Sequence, residues 1–177
     1  TNYSIYRLIT KLDKKAIVIS LNSKDYYYSI FKSNGNDVFT INFSSIKSFI
    51  KSFIKIKKIL ESEENYIFHC WLYKASLFGF IFSLIYKKKI IWNIRHADTS
   101  FSIKKIRKNL IIRLCSLFTR LKTINIVYNS YFSAFNHQKI GFNNKNSYVI
   151  NNGFEINKYS TSSKNKSKFL KKYNIKK

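Results

Sequence analysis

The chain has 177 residues, 45% of them hydrophobic, and a formal net charge of +25 at pH 7. That length admits one domain with a real core and hardly two, and the hydrophobic share is ordinary for a folded globular protein. Thr1 to Lys15 carries scattered charges and no uninterrupted apolar run, so this segment is not expected to act as a secretory signal peptide. The charge suggests anionic partners: nucleic acid, a membrane surface or phosphorylated substrates. Lys, Asn, Ile, Tyr and Phe are abundant while Pro is absent and Gly is scarce, the profile of AT-rich coding sequence, and we give that bias the larger share. The charge attracts anionic lipid headgroups whatever its origin. The chain starts at Thr1 and contains no Met, so a processed chain or a fragment is expected.

In chain order, residues 3–12 read as a helix with Tyr6, Leu8, Ile9 and Leu12 on its apolar side. Residues 16–21 read as a strand and 25–33 as a short helix, with Asn34-Gly35 as its stop. Residues 37–43 are a second strand. Ser44 or Ser45 can cap the next helix, where Ile46, Phe49, Ile50, Phe53 and Leu60 recur at helical spacing among lysines. A third strand, 66–70, leads to a nearly all-apolar helix over 73–86, shorter than the ~20 residues of a membrane span. Lys87-Lys88-Lys89 suits the negative end of that helix. The run 90–94 is a buried strand.

From about Ile106 a helix is predicted with Leu110, Ile111, Leu114, Leu117, Phe118 and Leu121 as one stripe. Strand 123–128, helix 131–139 with Gly141 as its stop, and strand 148–150 follow. Residues 158–168 read as a linker, and Phe169 to Tyr173 as the start of a further helix. Strands and helices thus alternate, which predicts an α/β, Rossmann-like domain with one mainly parallel sheet covered on both faces. Because the chain opens on a helix, a first strand and its turn are expected to be missing upstream.

Neither G-x-G-x-x-G nor a G-x-x-x-x-G-K loop occurs. His69, His96 and His137 lie too far apart in sequence for a zinc pattern, and no nucleophile elbow appears. Cys70 falls in an apolar strand and Cys115 in a helix; they read as small buried apolar residues of a reducing compartment. What remains is a set of polar groups at strand ends: His69 with Trp71, Arg95-His96-Ala97-Asp98, Asn129-Ser130, and Asn152-Gly153 with Glu155. In a parallel sheet these ends share one edge, where ligands bind. A single histidine at a strand end is as often a structural hydrogen-bonding group, and Asn and Gly there commonly make turns. Four clusters on one predicted edge weigh more.

Those clusters, in their order, resemble a known family. Ile19-Ser20-Leu21, Gly35, Phe68-His69, Trp92 to His96, Val127 to Ser130, His137 with Gly141, and Val149 to Glu155 leading to Tyr159 resemble the N-terminal, acceptor-side domain of family 4 glycosyltransferases of the GT-B fold. Phe169 to Ile175 resembles the helix that opens that family's second domain. The chain departs in two places: Asn151 stands where the family usually has Pro, and Glu155 where it usually has Asp. The family's glycine-rich first turn and its C-terminal domain are not found.

The resemblance implies residues 1–157 as the acceptor-side domain and 158–177 as a linker and the start of a nucleotide-sugar-binding domain. It implies an enzyme, a retaining hexosyl-type transferase, moving a sugar from a nucleotide-sugar to an acceptor hydroxyl in cell-surface polysaccharide or glycolipid synthesis, with no cofactor and no metal. The fragment alone would be inactive. His96 would be catalytic, bordering the donor sugar. Arg95, Asp98, Trp71, Asn129, Ser130, Asn152, Gly153 and Glu155 would bind substrate or shape the cleft; Arg95 and Asp98 could instead pair with each other. The expected partners are the nucleotide-sugar donor and a glycan or lipid-linked acceptor, with an anionic membrane surface kept as a candidate and no nucleic acid. The expected location is cytoplasmic, with attachment at the cytoplasmic membrane face left open. The rival class is a non-catalytic basic module for membrane or nucleic acid; against it, the aromatics sit at core positions of helices and strands, and no nucleic-acid motif appears.

Overall fold

The computed structural model describes residues 2–12, 16–21, 26–100, 106–154 and 163–175. Helices and strands alternate along them: α1 (Asn2–Lys11), β1 (Ile17–Ser20), α2 (Tyr26–Ser33), β2 (Asp37–Thr40), α3 (Ile46–Glu61), β3 (Phe68–Trp71), α4 (Leu72–Ile85), β4 (Ile90–Ile94), α5 (Ile106–Leu121), β5 (Asn125–Tyr128), α6 (Tyr131–Lys139), β6 (Ser147–Val149) and α7 (Ser163–Lys172). Every strand pair is parallel. Parallel neighbours need a crossover, and the helices supply it. The result is a Rossmann-like α/β fold with helices on both sides of its sheets.

The expected single sheet is instead two: β1–β2, and β3–β4–β5–β6 in sequence order. Side chains rather than ladder hydrogen bonds join them. Ile19 and Leu21, at the end of β1, pack against the same cluster of Ile41, Ile56, Leu60 and Phe82 as Phe68 of β3 and Phe78 of α4. The larger core lies in the four-stranded half, where Trp92, Ile126, Tyr128 and Cys115 are fully buried. Gly79 lets α4 lie close on β3: a Cβ there would stand 2.2 Å from Cys70 Sγ. Burial pushes the thiols of Cys70 and Cys115 up to about 12, so both behave as small apolar fillers.

Ser45 caps α3 by accepting from the Ser48 N–H, as the sequence suggested. Helix α2 does stop at Asn34-Gly35, with Gly35 at φ 75°, and α6 before Gly141 at φ 96°. Lys87-Lys88-Lys89 follow the end of α4, and a further cation reaches it from outside the helix. Lys122, arriving from α5, donates to the carbonyls of Ser83 at 3.1 Å and Lys88 at 3.5 Å.

Two predicted stripes are corrected. In α3 the inward side is Phe49, Phe53, Ile56 and Leu60, while Ile46 and Ile50 face solvent. In α5 the buried side is Asn109, Ile112, Cys115, Ser116 and Thr119, and Leu110, Leu117 and Leu121 are exposed. The reason is backbone satisfaction. Ser116 Oγ donates to the Ile140 carbonyl at 3.1 Å, and Thr119 Oγ1 accepts from the Asn143 N–H at 3.0 Å, so these hydroxyls must face the turn after α6. The predicted linker over 158–168 is also shortened, because α7 already begins at Ser163. Among the described residues no helix is long and apolar enough to cross a membrane.

Candidate functional site

The ladder registers decide where the polar strand ends emerge. Trp71 lies beside Asn93, Ile94 beside Tyr128, and Tyr128 beside Val149. The Ile150 N–H donates to the Tyr128 carbonyl at 2.9 Å, extending the last ladder by one step. The residues that follow each strand therefore leave one edge together: Leu72, Arg95-His96, Asn129-Ser130 and Asn151 to Gly153.

Arg95 is the hub. Its guanidinium lies 5.4 Å from the Trp71 ring centroid, and its Nη2 donates to Ser4 Oγ at 3.2 Å and to Asn152 Oδ1. Partial burial lowers its pKa from the usual arginine value. Helix α1 reinforces this edge, since Arg7 Nη1 donates to the Gly153 carbonyl at 2.8 Å. Three of the expected site residues, Trp71, Arg95 and Asn152, are thus in direct contact.

His96 is exposed at the ring and fixed at the backbone. Ser133 Oγ of α6 donates to its carbonyl at 2.8 Å, and Asn136 Nδ2 donates to the next carbonyl, that of Ala97, at 3.0 Å. The imidazole stacks near Tyr73, with centroids 6.2 Å apart and planes at 27°. Tyr73 is held from behind by His137, which is wholly buried. His137 Nδ1 lies 2.7 Å from the Ser133 carbonyl, an acceptor, so Nδ1 carries the proton. Nε2 then accepts from the Tyr73 hydroxyl at 2.6 Å. Burial lowers the pKa of His137 and raises that of Tyr73, which keeps the imidazole neutral and the phenol a donor.

The other expected residues are placed as follows. Asp98 does not pair with Arg95; it forms an ion pair with Lys108 at 3.1 Å and accepts from the Ser100 N–H at 2.9 Å. Hydrogen bonds from the Ser100 hydroxyl and N–H, and then Lys108, hold its carboxyl well below the usual range. The Ser130 hydroxyl caps α6 by accepting from the Ser133 N–H. Asn129 Oδ1, like the neighbouring Asn93 Oδ1, is buried without a hydrogen bond among the described residues. Gly153 contributes its carbonyl to Arg7. Glu155 lies outside the described residues.

Ser4, Arg7, Tyr73, His137 and Leu72 are parts of this edge that sequence reasoning did not assign. Leu72 opens α4 at φ 70°, a strained position for a bulky residue, directly after Trp71. Its signal was invisible, because leucine marks no turn. His69, whose ring lies 5.1 Å from that of Trp71, accepts a long 3.5 Å bond from Asn93 Nδ2, and burial lowers its pKa. Among the described residues no three His, Cys, Asp or Glu side chains gather to hold a metal ion. Among the described residues the edge offers two arginines, Arg95 and Arg7, the exposed His96 and several fixed dipoles, suited to anionic and hydroxyl-bearing ligands.

No protein-family model matches the chain, and no curated protein matches it. Solved structures do. HepE of Anabaena in complex with UDP and glucose superposes with a TM-score of 0.72 at 19% identity, covering 97% of this chain and 46% of that one. HepE in complex with UDP-glucose gives 0.65 at 19% identity, covering 89% and 42%, and HepE with UDP gives 0.65 at 17%, covering 92% and 50%. The chain spans about half the length of the solved chains it matches. At this identity the likeness establishes the fold alone: the chain has the Rossmann-like α/β architecture of one half of a GT-B fold, the architecture that the strand ends resembled.

Proposed function

We propose that the chain is the acceptor-side half of a retaining, hexosyl-type glycosyltransferase. The complete protein would move a sugar from a nucleotide-sugar to an acceptor hydroxyl in cell-surface polysaccharide or glycolipid synthesis. One observation carries this reading: an exposed His96 and a clamped Arg95 stand together at the carboxyl edge of a parallel sheet whose fold is shared with a protein solved in complex with UDP and glucose. In such a transfer, positive charge develops at the sugar and negative charge on the leaving diphosphate. Fixed donors and cations lower that barrier because they need no reorganisation when the charge appears.

His96 would donate to a sugar oxygen or present positive charge toward the diphosphate. Arg95 and Asn152 would border the acceptor, with Trp71 as a ring for a sugar face. Asp98 and Ser130, committed to Lys108 and to the α6 cap, would shape the edge through the backbone. Residues 1–157 form the acceptor side in this reading, and 158–177, with α7, lead into the nucleotide-sugar-binding half. The work site would be the cytoplasmic face of the membrane, on a lipid-linked acceptor.

The test is a transfer assay with UDP-glucose and a membrane extract, run on the 177-residue chain alone and on the complete protein. The complete protein should form product and the chain alone none. Product from the chain alone would refute the division of labour. No product from the complete protein with any nucleotide-sugar would refute the function.

A further inference from the structure

Helix α5 departs from the usual rule for a surface helix, because polar residues share its buried side with Ile112 and Cys115. It buries Asn109, Ser116 and Thr119 while Leu110 is 57% and Leu121 is 69% exposed. Leu110, Leu117 and Leu121 share its outer ridge, being seven and then four residues apart along the helix, about two turns and one turn. Next to it α6 turns Phe132 and Phe135 outward and buries Ser133 and His137. An apolar surface of this kind on a folded domain marks a binding face.

A groove runs beside that ridge. It has a volume of about 440 Å³ and is lined by Thr99, Asn109, Arg113, Arg120, Lys139 and Gly141 among others. Three of those side chains are cationic and none is acidic. Arg120 is built into the wall: its Nε donates to the Gly141 carbonyl at 2.9 Å. The missing side chain of Gly141 is what admits it, since a Cβ there would stand 2.2 Å from Arg120 Nη2. Lys139 lies 4.3 Å from the Phe135 ring centroid, at the border of the groove and the apolar ridge. From Leu72 to Phe154 the sole acid in the sequence is Asp98, and it is already paired with Lys108. The groove's positive charge is therefore uncompensated by carboxylates of this stretch.

We infer that the outer face of α5 and α6 is a bilayer-docking surface, with the α5–α6 groove as a seat for the phosphate of an anionic lipid. Guanidinium groups match phosphate oxygens in pairs, and leucines and phenylalanines beside cations are the chemistry of the membrane interface. An acidic protein would answer the charge but leave the adjoining leucine ridge without a matching partner. Helix α3 also exposes Ile46 and Ile50 beside lysines, but no groove with converging arginines accompanies them. The inference rests on the membrane part of the reading above and uses none of its transfer chemistry.

The experiment is co-sedimentation of the 177-residue chain with phosphatidylcholine vesicles, with and without phosphatidylglycerol. The wild type should bind the anionic vesicles and leave the neutral ones. Arg113→Ala with Lys139→Ala should weaken that binding about 30-fold, from about fivefold per cation lost at an anionic surface. Lys47→Ala with Lys51→Ala on α3 removes the same charge elsewhere and should change binding no more than about twofold. Leu117→Asn with Leu121→Asn should weaken it at least about tenfold, with the charge unchanged. All six positions are exposed, and circular dichroism checks that each variant is folded. Equal losses from the α3 and groove pairs would overturn the seat and leave the membrane reading standing. Unaltered binding of the leucine pair would show attraction by charge alone and overturn the bilayer face. Failure of the wild type to bind anionic vesicles would overturn the membrane reading and the seat together.

Discussion

The two sheets are built from similar short parallel strands, yet they differ in depth. In β4 the first, third, fourth and fifth residues are buried, and Trp92 beside Ile126 has no exposed surface. In β1 and β2 no residue is buried; every one is partly or wholly accessible. A strand packed on both faces holds its ends in place, and a strand with open flanks does so less well. The polar edge that gathers Arg95, His96 and Asn152 belongs to the deep sheet. Preorganised dipoles need that support, because a site that shifts by an ångström loses its advantage.

The comparison breaks most easily by truncation. Trp92→Ala should cost about 3–5 kcal/mol, the range for emptying a buried aromatic site. Val18→Ala in β1 should cost about 1 kcal/mol, since that side chain is half-buried and leaves no closed cavity. Urea denaturation of both variants measures it; equal losses would mean that the two halves are packed alike.

Two glycines sharpen the comparison at smaller scale. Gly35 and Gly141 both have positive φ, 75° and 96°. Around Gly35 a Cβ would meet nothing within 4 Å, so Gly35→Ala should cost about 1–2 kcal/mol of backbone strain alone. At Gly141 the new Cβ displaces Arg120 and threatens its hydrogen bond, adding about 1 kcal/mol. The same denaturation assay ranks them, and a larger loss at Gly35 would contradict the contrast.

The smallest effect is one of pH. Burial lowers the folded-state pKa of His137 in the deep half, so the unfolded chain binds that proton more readily. Stability from this group is complete above the unfolded value of about 6.5 and falls as pH drops from there toward the folded pKa. His69, also lowered by burial, adds loss of the same sign. His137→Gln, which retains an acceptor for Tyr73, should flatten the decline between neutral and mildly acidic pH. Stability profiles of the variant and the wild type with the same slope would show that His137 carries none of it.

Periodicity made the strand–helix order legible, and β4 and α6 begin and end where the pattern placed them. The fold class followed from that alternation. Two helix faces were misread because apolar spacing says which residues could be buried, not which are. In α5 the backbone of the turn after α6 needed hydroxyls, and Ser116 and Thr119 met that need while the leucines turned out. At the candidate site, the shared edge was legible from strand ends. The bond from Arg95 to Ser4 joins residues 91 apart in sequence, and the Tyr73–His137 pair spans 64, so neither leaves a local signal. The sheet's division into two was equally hidden, because strand pairing is a property of the assembled fold.

The central claim is that His96 acts on the reacting sugar from this edge, and kinetics of His96→Ala in the complete protein test it most directly. Removing one preorganised donor from a transition state typically costs about 10²–10³ in turnover. The account predicts that loss in kcat, with nucleotide affinity on the same folded protein little changed, and partial recovery in His96→Gln, which restores a donor of similar length. Turnover of His96→Ala near that of the wild type would contradict it and leave His96 as a structural residue of the strand end.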